Sequence, residues 1–246
     1  MAEFDKQAAA RYGATSSRAE AGVIDEGLRA YMLRVYNYMA TGLVVTGVVA
    51  FAMVTLAYSS PAFAQAVYGS ALRWVIILAP LAMVFYLSAR VNSMSVSGAQ
   101  TAFWIFAALM GASLSSIFLV YTGESIARVF FITAASFGAL SLYGYTTQRD
   151  LSGWGSFLFM GLIGVILAII VNLFLGSPAL MFAISVIGVL VFAGLTAYDT
   201  QQIKEMYYVG DDSTVAGRKA IMGALRLYLD FINMFIMLLH LFGARE

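Results

Sequence analysis

The sequence predicts an all-α membrane protein, a bundle of seven transmembrane helices, and three observations carry that prediction. Hydrophobic residues make up 61% of the 246 residues and charged residues only 11%, against about a quarter charged in soluble domains. The apolar residues gather in seven runs, each long enough to cross about 30 Å of hydrocarbon. Carboxylates are almost absent from those runs, and the exceptions, Asp199 and Asp230, fall in the last two. The net charge of +1 argues against nucleic acid, which selects a basic stripe. The absence of cysteine removes disulfides, thiolate metal sites and cysteine nucleophiles.

Residues 1–35 form a polar, partly amphipathic N-terminal segment. Ile24, Leu28, Met32 and Val35 share one helical face, with Arg29 and Arg34 on or near the other. That pattern predicts a surface-lying helix leading into the first span. The transmembrane domain then covers residues 36–246. Its spans are expected at Tyr36–Tyr58, Leu72–Ala89, Ala99–Tyr121, Val129–Tyr145, Ser156–Leu175, Ala179–Thr200 and Ala220–Phe242. Ser59-Ser60-Pro61 and Gly176-Ser177-Pro178 break the runs most sharply, and the second makes spans five and six an antiparallel hairpin. Pro80 falls inside the second span, where a kink is expected. Ala62-Phe63-Ala64 resembles a signal-peptidase site, but the apolar run before it is too long for such a leader.

Within spans, small residues recur four apart: Ala107, Gly111 and Ser115; Ala134 and Gly138; Gly164 and Ala168. This spacing lets helix backbones approach closely in lipid. Trp74, Tyr121 and Trp154, near span ends, read as interfacial anchors. In a seven-span arrangement, eleven of the 14 Lys and Arg residues fall on one side. Only Arg73, Arg128 and Arg245 fall on the other. The asymmetry predicts a cytoplasmic N-terminus and an outer C-terminus, in an integral multi-pass protein of the bacterial inner membrane.

The two acids are the candidate site. An ionised Asp near the middle of a bilayer costs about 2.5–3.5 kcal/mol on insertion scales, so each must be paired, protonated or turned to a wet cavity. Asp199 lies near the inner end of the sixth span, with Gln202 one turn on. Asp230 lies about halfway along the seventh, with Asn233 one turn on and Arg226 one turn earlier. Packed antiparallel, the two spans would bring the acids together. Neighbouring carboxylates in a poorly solvated site cannot both ionise cheaply and would share a proton. Hard oxygen ligands also suit Ca²⁺ in transit, which makes Asp199 and Asp230 the candidate metal contacts. A simpler reading keeps an intrahelical pair between Arg226 and Asp230 and sets Asp199 beside Lys204 at a helix end. Arg90, at the inner end of the second span, could pair in a bidentate way with either acid and hold a closed state.

The strings Ala197-Tyr-Asp-Thr-Gln-Gln-Ile-Lys204 and Leu227-Tyr-Leu-Asp-Phe-Ile-Asn-Met-Phe235 closely resemble the two signatures of the Bax inhibitor family. Arg34-Val-Tyr-Asn-Tyr-Met-Ala-Thr-Gly-Leu43, Asp150-Leu-Ser152 and Asn172-Leu-Phe174 are also similar to it. The resemblance covers essentially everything after about residue 30 and is nearest to the bacterial YccA-like branch. It implies a bundle with the last helix central, surrounded by the other six. It also implies a pH-sensitive calcium-permeable leak in which Asp199 and Asp230 form the paired acids and Arg90 their basic partner. The chain stops at Gly243-Ala-Arg-Glu246, without the lysine-rich tail of eukaryotic members. A second function, implied by YccA-like relatives, is regulation of an FtsH-type membrane protease through residues 1–35, without meaningful conduction.

Enzyme chemistry is not expected. Gly111-Ala-Ser113-Leu is superficially similar to an intramembrane serine-protease motif, and His240 is the only imidazole. But His240 belongs at the outer end of its span, away from any assured contact with Ser113. No phosphate-binding loop or metal-ligand cluster is legible, and no cofactor is expected beyond Ca²⁺ as the permeant ion. The expected partners are the lipid bilayer, calcium ions and the protease.

Overall fold

The computed structural model describes the backbone of residues 2–245 and the side chains of residues 26–245. In chain order the helices are α1 (Ala2–Ser59), α2 (Pro61–Tyr68), α3 (Leu72–Arg90), α4 (Val96–Leu114), α5 (Gly123–Thr146), α6 (Ser152–Leu175), α7 (Pro178–Glu205) and α8 (Ser213–Phe242). Among the described residues seven helices are long and apolar enough to cross a membrane, and only α2 is too short. The seven runs expected from hydropathy are all present, in order.

Capping residues set where each helix starts. Ser60 accepts from the Phe63 amide at the head of α2, and Pro61 takes the first-turn position where a missing N–H costs nothing. Ser95, Thr122 and Ser177 do the same for α4, α5 and α7. Asp212 starts α8 by accepting from the amides of Thr214 and Val215, both at 2.8 Å. The last span therefore begins at Ser213, seven residues before the apolar run that announced it. Between α6 and α7, Gly176 takes φ of 59°, a left-handed conformation that only glycine adopts freely. Asn172 steadies this hairpin by accepting from the Ser177 amide.

Two expectations are corrected here. The described part of the stripe ahead of the first span, Leu28 to Val35, does not lie on a surface: α1 runs unbroken from it into the span, and Met32 and Val35 are buried in the core. Ile24 of that stripe lies outside the described side chains. Pro80 lies inside α3, whose helix runs on from Leu72 to Arg90. Tyr121 is no interfacial anchor but is buried, because the C-terminal residues fold over it. The Thr122 amide donates to the Ala244 carbonyl, the Ala244 amide donates to Ser125 Oγ, and Arg245 stacks on the Tyr121 ring. Trp74 and Trp154 are exposed, as anchors must be.

Close approach is also selective. A Cβ on Gly111 would meet the Thr46 carbonyl of α1 at 2.5 Å, so this small residue does seat two backbones together. Gly138 and Gly164, at the same four-residue spacing, face open space.

The last span is the most buried. Inside the bundle lies 72% of its apolar window, against 17–33% for the other six. Its principal neighbours are α7, α1, α5 and α4. Tyr228 is wedged edge-on against Phe103 and Phe106. Its hydroxyl donates to Thr46 Oγ1 at 2.6 Å, and Thr46 passes its own proton to the Ala107 or the Gly42 carbonyl, each at 2.9 Å. One polar pin thus ties α1, α4 and α8 where lipid offers no competing partner. Phe231 packs edge-on against Phe130 and Phe137 of α5.

Candidate functional site

The site forms where α7 and α8 run antiparallel. The loop joining them is fixed from both ends. Lys219, in the second turn of α8, donates to the Met206 carbonyl at 3.0 Å and pairs with Asp211 at 2.5 Å. Tyr207 leans on Tyr31 of α1, with ring centres 5.7 Å apart. At the inner end of α7, Gln201 accepts from the Leu151 amide and donates to the Arg149 carbonyl, each at 2.8 Å. Lys204 donates to the Tyr145 carbonyl at 2.9 Å. With the register held this way, Asp199 and Asp230 come opposite one another.

The two carboxyl groups face each other within hydrogen-bonding reach. Asp230 is 5% exposed and Asp199 half-buried. Asp230 Oδ2 has no hydrogen-bond partner among the described residues. A buried acceptor left this way carries a desolvation cost of about 1–3 kcal/mol until a proton, a water or a cation reaches it.

The pair sits on the floor of a cleft of about 950 Å³. Arg226, Asn233 and Ser113 share that floor, and α3 and α6 supply apolar walls. Asn233 is half-committed: its amide donates to the Leu229 carbonyl at 2.8 Å, and among the described residues its oxygen accepts no hydrogen bond. Arg226 is exposed into the cleft and forms no ion pair with either acid; among the described residues the only ion pair is Lys219–Asp211. The intrahelical neutralisation open to Asp230 is therefore not made. Lys204 turns to Tyr145 and Gln202 to Glu205, so neither compensates Asp199.

Arg90 does not reach the pair. It is exposed at the end of α3, outside the cleft lining, and forms no ion pair. The reason is packing: α3 lies on α4 and not on α7, and its last residue enters a 3₁₀ turn whose Ser93 hydroxyl binds the Arg90 carbonyl. The arginine brought to the acids is Arg226.

Sequence reasoning missed a second polar chain beside the site. The Tyr36 hydroxyl meets Ser141 Oγ at 2.6 Å, Ser141 meets Thr200 at 2.9 Å, and Thr200 donates to the Thr196 carbonyl at 2.7 Å. Its only signal was the four-residue spacing of Thr196 and Thr200. At Gly144 a Cβ would meet the Ala197 carbonyl at 2.2 Å, which presses α5 against the strip of α7 that carries Asp199.

Comparison with known proteins shows the family. The family described as inhibitor of apoptosis-promoting Bax1 matches residues 28–246. An uncharacterized protein of Rickettsia prowazekii, RP147, is 50% identical over 222 residues, covering 90% of this chain and 92% of its own. The inner membrane protein YbhL of Escherichia coli is 54% identical over 173 residues, covering 70% and 74% respectively. A protein of Caulobacter vibrioides is 46% identical over 237 residues, covering 94% of each chain.

Proposed function

Because the chain belongs to the Bax inhibitor family and is a multi-pass membrane protein, we propose that it is a pH-sensitive, calcium-permeable leak gated by Asp199 and Asp230. The observation that carries this reading is the meeting of two carboxyl groups on the floor of a cleft, with one oxygen of Asp230 unpartnered.

The chemistry follows from charge. With a proton between them the acids carry one negative charge and attract each other. Without it, two like charges face across a medium of low dielectric, and their repulsion must be relieved by separation or by a cation. Protons and Ca²⁺ thereby compete for the same oxygens. Ca²⁺ takes 6–8 oxygen ligands when held tightly, and the described residues contain no cluster of three or more acids or imidazoles. The pair supports brief contact with a passing ion and not storage. Arg226, facing the same floor, limits the charge that accumulates there. Arg90 stands ready only if α3 moves, so the gate operates first through Asp199, Asp230 and Arg226.

Calcium flux into liposomes at several pH values tests this. The parent should respond by up to about tenfold per pH unit, the limit for one titrating proton. Asp199→Asn and Asp230→Asn should each flatten that response. If both variants leak with the parent's pH dependence, the pair is not the gate.

A further inference from the structure

The cleft that holds the acids is open towards the lipid. α3 packs chiefly on α4 and α6 on α7, with at most slight contact between α3 and α6 or of either with α8. Between them the mouth is walled by Ile77 and Leu81 of α3 and by Phe159 and Ile166 of α6. These side chains are 44–61% exposed and belong to membrane spans. Behind them lies the polar floor of Asp199, Asp230, Arg226 and Asn233.

We propose that this seam is a lipid site: the hydrocarbon chain of a bilayer lipid enters between α3 and α6 and covers the acid pair. At that depth the surroundings are hydrocarbon, which no aqueous solute crosses sideways. A helix from a second copy is about 10–12 Å across and would have to push the walls apart, whereas a string of methylenes would not. The volume of about 950 Å³ lies within the range of pockets that enclose small apolar ligands, about 300–1,000 Å³. The unpartnered, buried Asp230 Oδ2 marks the inner limit of the chain, because a polar group there is satisfied by a proton or by water and never by methylene. The occupancy is therefore divided, with water or a proton on the floor and lipid in the mouth. This inference rests on the cleft alone and not on the leak.

The absence of cysteine makes a single introduced thiol unique. Val84→Cys on the α3 wall and Leu162→Cys on the α6 wall, each in the full chain, would be labelled with bimane and reconstituted in phosphatidylcholine brominated at mid-chain. Ile170→Cys, on the exposed outer face of α6, sets the level for full lipid contact. Tyr208→Cys, in the α7–α8 loop, sets the level for none. The expected result is bromolipid quenching at both cleft positions of at least half the Ile170 level. Quenching at the Tyr208 level at either position overturns the proposal. Quenching by aqueous iodide without quenching by bromolipid also overturns it, and makes the cleft a water-filled vestibule. Neither readout measures flux, so this inference can fail while the leak stands, and the reverse.

Discussion

At the scale of single residues, acids in this chain do two unlike jobs. Asp199 and Asp230 face one another on the floor of the cleft, whereas Asp212 and Asp150 serve backbone amides outside the spans. The amides of Val215 and Thr214 hold the Asp212 carboxyl below its ordinary range, and the hydroxyl and amide of Ser152 do the same for Asp150. A carboxyl whose folded value is depressed stabilises the fold above its unfolded value, about 3.9, and loses that contribution as pH falls through the folded value. Thermal unfolding in detergent should therefore show Asp212→Ala less stable than the parent at pH 7. The gap should narrow as pH falls through 4 towards 3. A gap that stayed constant over that range would mean that the charge on Asp212 does not matter to the cap.

At the scale of elements, identical spacing leads to different outcomes because the partner helix decides. Gly144 lies against the Ala197 backbone, and Gly138, on the same helix, meets nothing. Gly144→Ala should destabilise the protein by about 1–3 kcal/mol through overpacking. Gly138→Ala should be neutral or slightly stabilising, since alanine is the better helix former. Unfolding midpoints in detergent check the pair, and equal effects would show that α5 and α7 are not in the described contact. That Asp199 and Asp230 could meet was legible in the sequence because consecutive spans cross the bilayer in opposite directions, and antiparallel packing of α7 and α8 would bring the two acids together. The role given to Arg90 was not recoverable. Choosing between Arg90 and Arg226 requires knowing that α3 packs on α4 and not on α7, and an apolar run does not encode which neighbour it takes. α2 was missed for a related reason. Its eight residues (Pro61–Tyr68) are marked by a helix-start signal, Ser60-Pro61, that looks the same as a simple break between spans.

At the scale of the whole molecule, the seven runs were readable because hydrocarbon forces every backbone polar group into a helix. The unusual burial of α8 was not readable from hydropathy, in which it resembles α5; only the family resemblance pointed to it. Orientation is a prediction that belongs here. The excess of Lys and Arg on the side of the α7–α8 loop puts that loop inside the cell. In intact bacteria an impermeant thiol reagent should label Ser70→Cys, in the α2–α3 turn, and spare Tyr208→Cys until the membrane is permeabilised. The opposite pattern would invert the topology.

The loose seating of α3 and α6 has a mechanical consequence. α6 is held chiefly by α7, and α3 chiefly by α4 with α2 at its start, so bilayer tension is expected to draw these two outward first. Such a movement would leave the Tyr228–Thr46 pin and the Lys219–Asp211 bolt in place.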